Sequence, residues 1–181
     1  MAIKIHPTAK IHETVVLGMN VTIGANVVIG PYCLIGMPGE HREKSAKDYG
    51  VYIGDNTTLT GLVTVDSGVE GITYIGENVY VMKHAHVGHD AIIRNNVTIS
   101  CGVKIGGHTE IDPFANIGLN AVIHQNHHIA HWAMIGMGAV VPKGVIVRAG
   151  FTYVGNPAKC IGQNKKAPVD MFTMFSQNSE V

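Results

Sequence analysis

Ile75-Gly76-Glu77-Asn78-Val79-Tyr80, then Val81-Met82-Lys83-His84-Ala85-His86, then Val87-Gly88-His89-Asp90-Ala91-Ile92 and on to Ile93: every sixth residue is aliphatic. The beat runs forward through Ile99, Ile105, Ile111, Ile117, Ile123, Ile129, Ile135, Val141 and Val147. It runs backward through Ile53, Leu59 and Val65, and again from Ile5 through Ile11, Leu17, Ile23 and Ile29 to Ile35. A helix repeats every 3.6 residues and a half-buried strand every two, so neither uses a strict six. A chain that turns a corner once per hexad does use it, and that is the parallel β-helix. Three hexads close one triangular coil, and each beat residue stacks on its equivalent one coil away at roughly 4.8 Å. Small or β-branched residues four after the beat (Ala9, Val15, Val21, Val27, Val97) should fill the rest of the interior. Gly directly after the beat, as in Ile23-Gly24 or Ile117-Gly118, reads as a corner residue that tolerates tight backbone angles.

The expected fold is therefore all-β: a parallel β-helix of hexapeptide repeats with about seven coils. Residues 1–162 form the β-helix domain, and 163–181 a short C-terminal tail in which Met171 to Phe175 reads as a helical turn. Two protruding loops interrupt the beat. From Ile35 to Ile53 one coil's worth of chain continues without clean hexads, and Gly36 to Gly50 reads as a polar, mobile loop. Asp66 to Gly71 makes the second. Loops of this kind protrude and often cover active sites.

Composition narrows the class. The 181 residues carry zero formal net charge, and only 14% are charged, as expected where flat faces pack against partner subunits. No apolar run is long enough for a membrane span, and the first ten residues hold no signal-peptide core. Cys33, Cys101 and Cys160 show no paired spacing and read as free, mostly buried thiols of a cytoplasmic protein. Between Pro113 and Val169 there is no Asp or Glu, while Lys143, Arg148, Lys159, Lys165 and Lys166 fall there. Such a one-signed patch suits coenzyme A or an acidic acyl carrier protein, and reads equally as an ordinary solvated face. Nucleic acid is disfavoured, because the overall pI is near neutral, about 7.2.

The 11 histidines cluster. His84, His86 and His89 lie together, followed by His108, His124, His127, His128 and His131. Column arithmetic puts Gly107 one coil beyond His89 and Gln125 two coils beyond, with Asp90 in the column of His108. Three readings compete. The histidines can be ordinary corner residues. His84 and His89 can be metal ligands, as in γ-class carbonic anhydrases, although the slots counted two coils back hold Asp48 and Ile53 rather than a third histidine. Or His89 is a general base whose tautomer Asp90 fixes, the reading favoured here.

Met82 to Asp90, Gly106-Gly107-His108, Asn120 to Gln125 and Gly155-Asn156-Pro157-Ala158 resemble the UDP-N-acetylglucosamine O-acyltransferases of lipid A biosynthesis. The resemblance implies a left-handed coil and a homotrimer with active sites between subunits. It implies His89 as general base, Asp90 as its orienting carboxylate and the Gly107 N–H as oxyanion donor. His86, His108, His124 and Gln125 would line the cleft for the nucleotide sugar and pantetheine, with His41 standing near the position of a family Asp. Met137 would close the acyl groove and shorten the fatty chain accepted. The co-substrate would be an acyl-phosphopantetheine thioester, on acyl carrier protein or coenzyme A. No bound cofactor, metal or covalent enzyme intermediate is implied. Family members also carry a C-terminal helical domain with paired arginines, whereas this sequence reads as a short form with Lys165-Lys166 as its only basic pair there. The runner-up is a coenzyme A-dependent sugar O- or N-acetyltransferase, and from another class a non-catalytic trimeric scaffold or sugar-binding module.

Overall fold

The computed structural model describes residues 3–41, 48–169 and 171. Three parallel sheets form the faces of a prism, two of them 7-stranded and one 9-stranded. The chain visits the faces in strict rotation. Lys4–Ile5 belongs to the first sheet, Lys10–Ile11 to the second and Val16–Leu17 to the third, and Val21–Ile23 then returns to pair with Lys4–Ile5. Seven coils are complete. The parallel bridge Ile129↔Val147 and the strand Phe151–Val154 begin an eighth.

The beat residues are the core. Ile35, Ile53, Leu59, Ile75, Val81, Val87, Ile93 and Ile99 have no solvent exposure. Each buried aliphatic of this size stabilises by about 1.5–3 kcal/mol relative to exposure. Val21, Val27 and Val97 are fully buried beside them, while Ala9 and Val15 in the first coil are only partly so.

Glycine earns its place after the beat for a different reason than the sequence suggested. A Cβ on Gly118 would lie 2.7 Å from Ile135 O in the next coil, so close approach between coils excludes a side chain. The left-handed corner comes two residues later. Asn20, Asn26, Asn56, Asn78, Asn96, Asn120 and Asn126 hold it with φ between 53° and 60°. Asn tolerates that region better than other non-glycine residues.

The interval from Ile35 to Ile53 is not a coil. Leu34–Met37 ends on the third sheet and Val51–Ile53 resumes directly on the first, with Ile23 opposite Ile53. The sequence gap between stacked partners widens from 18 residues, as between Thr8 and Asn26, to 30 between Asn26 and Asn56. The second break widens it to 22, as between Thr64 and His86. Both insertions therefore leave from the same edge, where the third sheet turns into the first.

The far end differs from expectation too. Phe151–Val154 and Lys159–Gln163 form an antiparallel hairpin across a cis Asn156–Pro157 bond, so regular pairing runs to Gln163. The expected helical turn lies, apart from Met171, outside the described residues. Of the three free thiols only Cys33 is buried, and Cys160 is exposed, contrary to the expectation of mostly buried thiols. No helix among the described residues is long and apolar enough to cross a membrane.

Candidate active site

His89 and Asp90 follow the strand His86–Val87 at the edge that carries both insertions. Asp90 occupies the left-handed corner with φ 58°, the slot that Asn20 and Asn126 hold on the same edge in other coils. Its side chain is 5% exposed, and the second insertion wraps it. Oδ1 accepts hydrogen bonds from the Glu70 N–H at 2.9 Å and the Gly71 N–H at 2.6 Å, and Oδ2 accepts one from Val69 N–H at 3.2 Å. Three successive backbone donors make a concave anion nest. Burial alone would raise the Asp90 carboxyl. The Gly71 N–H, the His89 side chain, the Val69 N–H and the charge of His108 outweigh it and hold the carboxyl below its usual range.

His89 Nδ1 lies 2.7 Å from Asp90 Oδ2. An ionised carboxylate only accepts, so Nδ1 carries the proton and Nε2 keeps its lone pair, the tautomer a general base needs. The ring is boxed in. A Cβ on Gly107 would meet His89 Cε1 and Nε2 at 2.8 Å, and one on Gly39 would meet His89 Cβ, Val69 Cγ1 and Ser67 O within 2.9 Å. Gly107 is thus the floor against which the imidazole rests, and Gly39 lets the first insertion close on the second. The insertions are also stitched together. Gly50 N–H donates to Ser67 Oγ at 2.9 Å, and Ser67 Oγ donates to Asp48.

His41 and His108 flank His89 edge-on, with centroids 5.7 and 5.1 Å away. His108 Nε2 stands 3.7 Å from Asp90 Oδ2 and 4.0 Å from Glu70 Oε2. His86 faces outward from the third sheet, its Nδ1 2.8 Å from Thr64 Oγ1 one coil below.

The structure therefore gathers His89, Asp90, Gly107, His108, His41 and His86. His124 and Gln125 lie on the same edge about 10 Å along the axis, both exposed. There the His124 ring bonds the Gln125 carbonyl at 2.8 Å. Met137 is 75% exposed, on the edge between the second and third sheets and away from His89 within one chain. His84 also sits on that other edge, taking Lys104 Nζ on its carbonyl at 2.6 Å, so a His84–His89 metal pair is split across a whole face. The residues stacked beneath His84 are Leu62 and Tyr32, not Asp48, because the insertions shift the count. His89, Asp90 and His108 do bring potential ligand atoms within 4.8 Å of one another.

Sequence reasoning missed the Val69–Gly71 nest, Gly39 and Thr73, whose Oγ1 accepts the Asp90 N–H at 2.8 Å. The signal for the nest was the irregular interval between Val65 and Ile75.

By fold this is a hexapeptide-repeat protein, and the bacterial transferase hexapeptide family (six repeats) matches residues 3–37 and 72–107. Within that class the chain is similar to the UDP-N-acetylglucosamine O-acyltransferases. It is 34% identical over 128 residues to the acyl-[acyl-carrier-protein]–UDP-N-acetylglucosamine O-acyltransferase of Nautilia profundicola, covering 68% of this chain and 47% of that one. The Campylobacter concisus counterpart is 31% identical over 119 residues, 64% of this chain and 45% of that one. The chain spans about half the length of the curated relatives it matches. Among solved structures, the UDP-N-acetylglucosamine acyltransferase from Bacteroides fragilis superposes with a TM-score of 0.82 at 23% identity, over 97% of this chain and 76% of that one, a likeness of fold.

Proposed function

We propose that this protein transfers an acyl group from a phosphopantetheine thioester, carried by acyl carrier protein, to a hydroxyl of a nucleotide sugar related to UDP-N-acetylglucosamine. The observation that carries the reading is the His89–Asp90 pair, 2.7 Å apart and set against Gly107. The curated relatives, named for this transfer, support the substrate classes.

The acceptor hydroxyl oxygen attacks the thioester carbon while His89 Nε2 takes its proton. Asp90, ionised in its nest, stabilises the imidazolium. The Gly107 N–H donates to the oxyanion of the tetrahedral intermediate. As the carbon–sulfur bond breaks, the imidazolium returns the proton to the departing thiolate, so no covalent enzyme intermediate forms. His41, His86, His108, His124 and Gln125 line the acceptor and donor cleft. The cleft closes between prisms of a homotrimer, which brings Met137 of one subunit to the acyl groove of another.

The test is product mass spectrometry with acyl carrier protein thioesters or acetyl-coenzyme A as donor and a panel of UDP-sugars as acceptors. Fatty acylation of a sugar hydroxyl from acyl carrier protein, lost in His89→Ala, is the expected result. Transfer from acetyl-coenzyme A alone would replace this reading with the acetyltransferase, and wild-type rates in His89→Ala would end both.

A further inference from the structure

A second histidine–carboxylate pair stands beside the first. Thr64, Val65 and Asp66 belong to one strand of the third sheet. Side chains alternate along a strand, so with Val65 inward both Thr64 and Asp66 face out, on the side that His86 shares one coil above. Thr64 Oγ1 holds His86 Nδ1 at 2.8 Å, and Asp66 Oδ2 lies 3.7 Å from His86 Nε2. That second distance is too long for a good direct hydrogen bond. One ring nitrogen is thus pinned, while the other faces a carboxylate across a gap.

The Asp66 side chain is only 11% exposed, and the Glu40 N–H also donates to it. Glu40 adjoins Gly39, which packs on His89. The two pairs are therefore neighbours across residues 39 and 40. Burial raises the Asp66 carboxyl, and the Glu40 carboxylate adds to the rise, while His86 and His89 oppose it. Asp66 thus feels the charges of two imidazoles and one carboxylate.

Resting on the acyltransfer reading above, we propose that His86 and Asp66 clamp a second hydroxyl of the sugar acceptor, next to the one that reacts at His89. An oxygen at ordinary hydrogen-bond distance from both atoms of a 3.7 Å pair forms a triangle. It accepts from the imidazole N–H and donates to the carboxylate. Only a group that both donates and accepts satisfies both partners, which is what a hydroxyl does and an ether or a fluorine does not. Thr64 holds the ring in that orientation. The clamp would add affinity for an acceptor that carries a hydroxyl beside the reacting one.

The experiment is a cycle between protein and ligand. Acceptor affinity is measured by calorimetry on the His89→Ala protein, with and without Asp66→Asn, using the UDP-sugar and its analogue deoxygenated next to the reacting hydroxyl. Turnover is measured in the His89-containing forms. Asp66→Asn should raise KM for the full acceptor about tenfold or more and leave kcat within about twofold. Deoxygenation should cost the wild type as much, yet cost Asp66→Asn little more. Thr64→Val should reproduce a smaller KM effect without altering the carboxylate. Additive losses in protein and ligand, with the wild type still acylating, would overturn the clamp alone. A wild type that neither binds nor acylates any hydroxylated acceptor would overturn the parent reading and the clamp with it.

Discussion

Two edges of the same prism use the left-handed corner in opposite ways. The edge from the first to the second sheet repeats it with Asn26, Asn56, Asn78 and Asn96, one amide above another. The edge from the third to the first sheet has Asn20 and Asn126 near its two ends, but between them carries Asp90 and His108 in that slot and sends out both insertions. Backbone geometry is the same in both. Side-chain types are not, and both insertions leave from the edge that carries His89 and Asp90. Regular coils supply rigidity. The breaks in them supply the nest around Asp90 and the Gly39–Glu40 segment that joins the two pairs.

Substitutions can break that comparison, and the largest effect belongs to the interrupted edge. His89→Ala should lower kcat by about 10²–10⁴ while thermal unfolding stays near wild type; a matching fall in stability would make His89 structural. On the regular side, Ile99→Ala in the solvent-free stack should cost about 2–5 kcal/mol in denaturant unfolding without changing KM. Gly107→Ala pushes a methyl into the imidazole, so a rate loss of about 10² with modest destabilisation is expected, read from single-turnover kinetics.

His127 sharpens the contrast by pH. It occupies an inward slot, and its Nε2 bonds the Val145 carbonyl at 2.7 Å. Burial, with smaller contributions from His124 and His128, depresses its basicity below the ordinary imidazole value. A depressed folded value means the unfolded chain takes the proton first. The neutral ring's contribution is thus whole above about pH 6.5 and lost as pH falls through the folded value. Wild type should lose stability relative to His127→Gln on going from pH 8 to pH 5. Parallel denaturation curves at both pH values would refute this. The smallest effect is expected at Met137, where Gly should leave stability unchanged and move donor preference toward longer acyl chains, checked by competition between thioesters.

The beat was readable because inward residues must repeat whenever a chain stacks on itself. His89, Asp90, Gly107 and His108 were readable from column arithmetic, since each lies a fixed offset from a beat. That arithmetic failed wherever the insertions changed the count. The eighteen residues from Ile35 to Ile53 matched a coil in length and were taken for one, though the chain only detours at a corner. The nest left no cue beyond the irregular interval between Val65 and Ile75, because backbone N–H groups belong to every residue and leave no trace in composition. Asp66 looked like a loop residue, yet it closes a strand. The terminal hairpin had a cue in Gly155-Asn156-Pro157, but the six-residue rule says nothing about antiparallel return.

Stacking continues from Ile23 to Ile53 to Ile75 although the chain between these partners differs in length each time. The solenoid is thus indifferent to how much polypeptide leaves at that vertex, provided it re-enters in phase. Segments grafted there could lengthen, shrink or change chemistry while the rungs above and below keep their alignment, so recognition can diversify without refolding the scaffold.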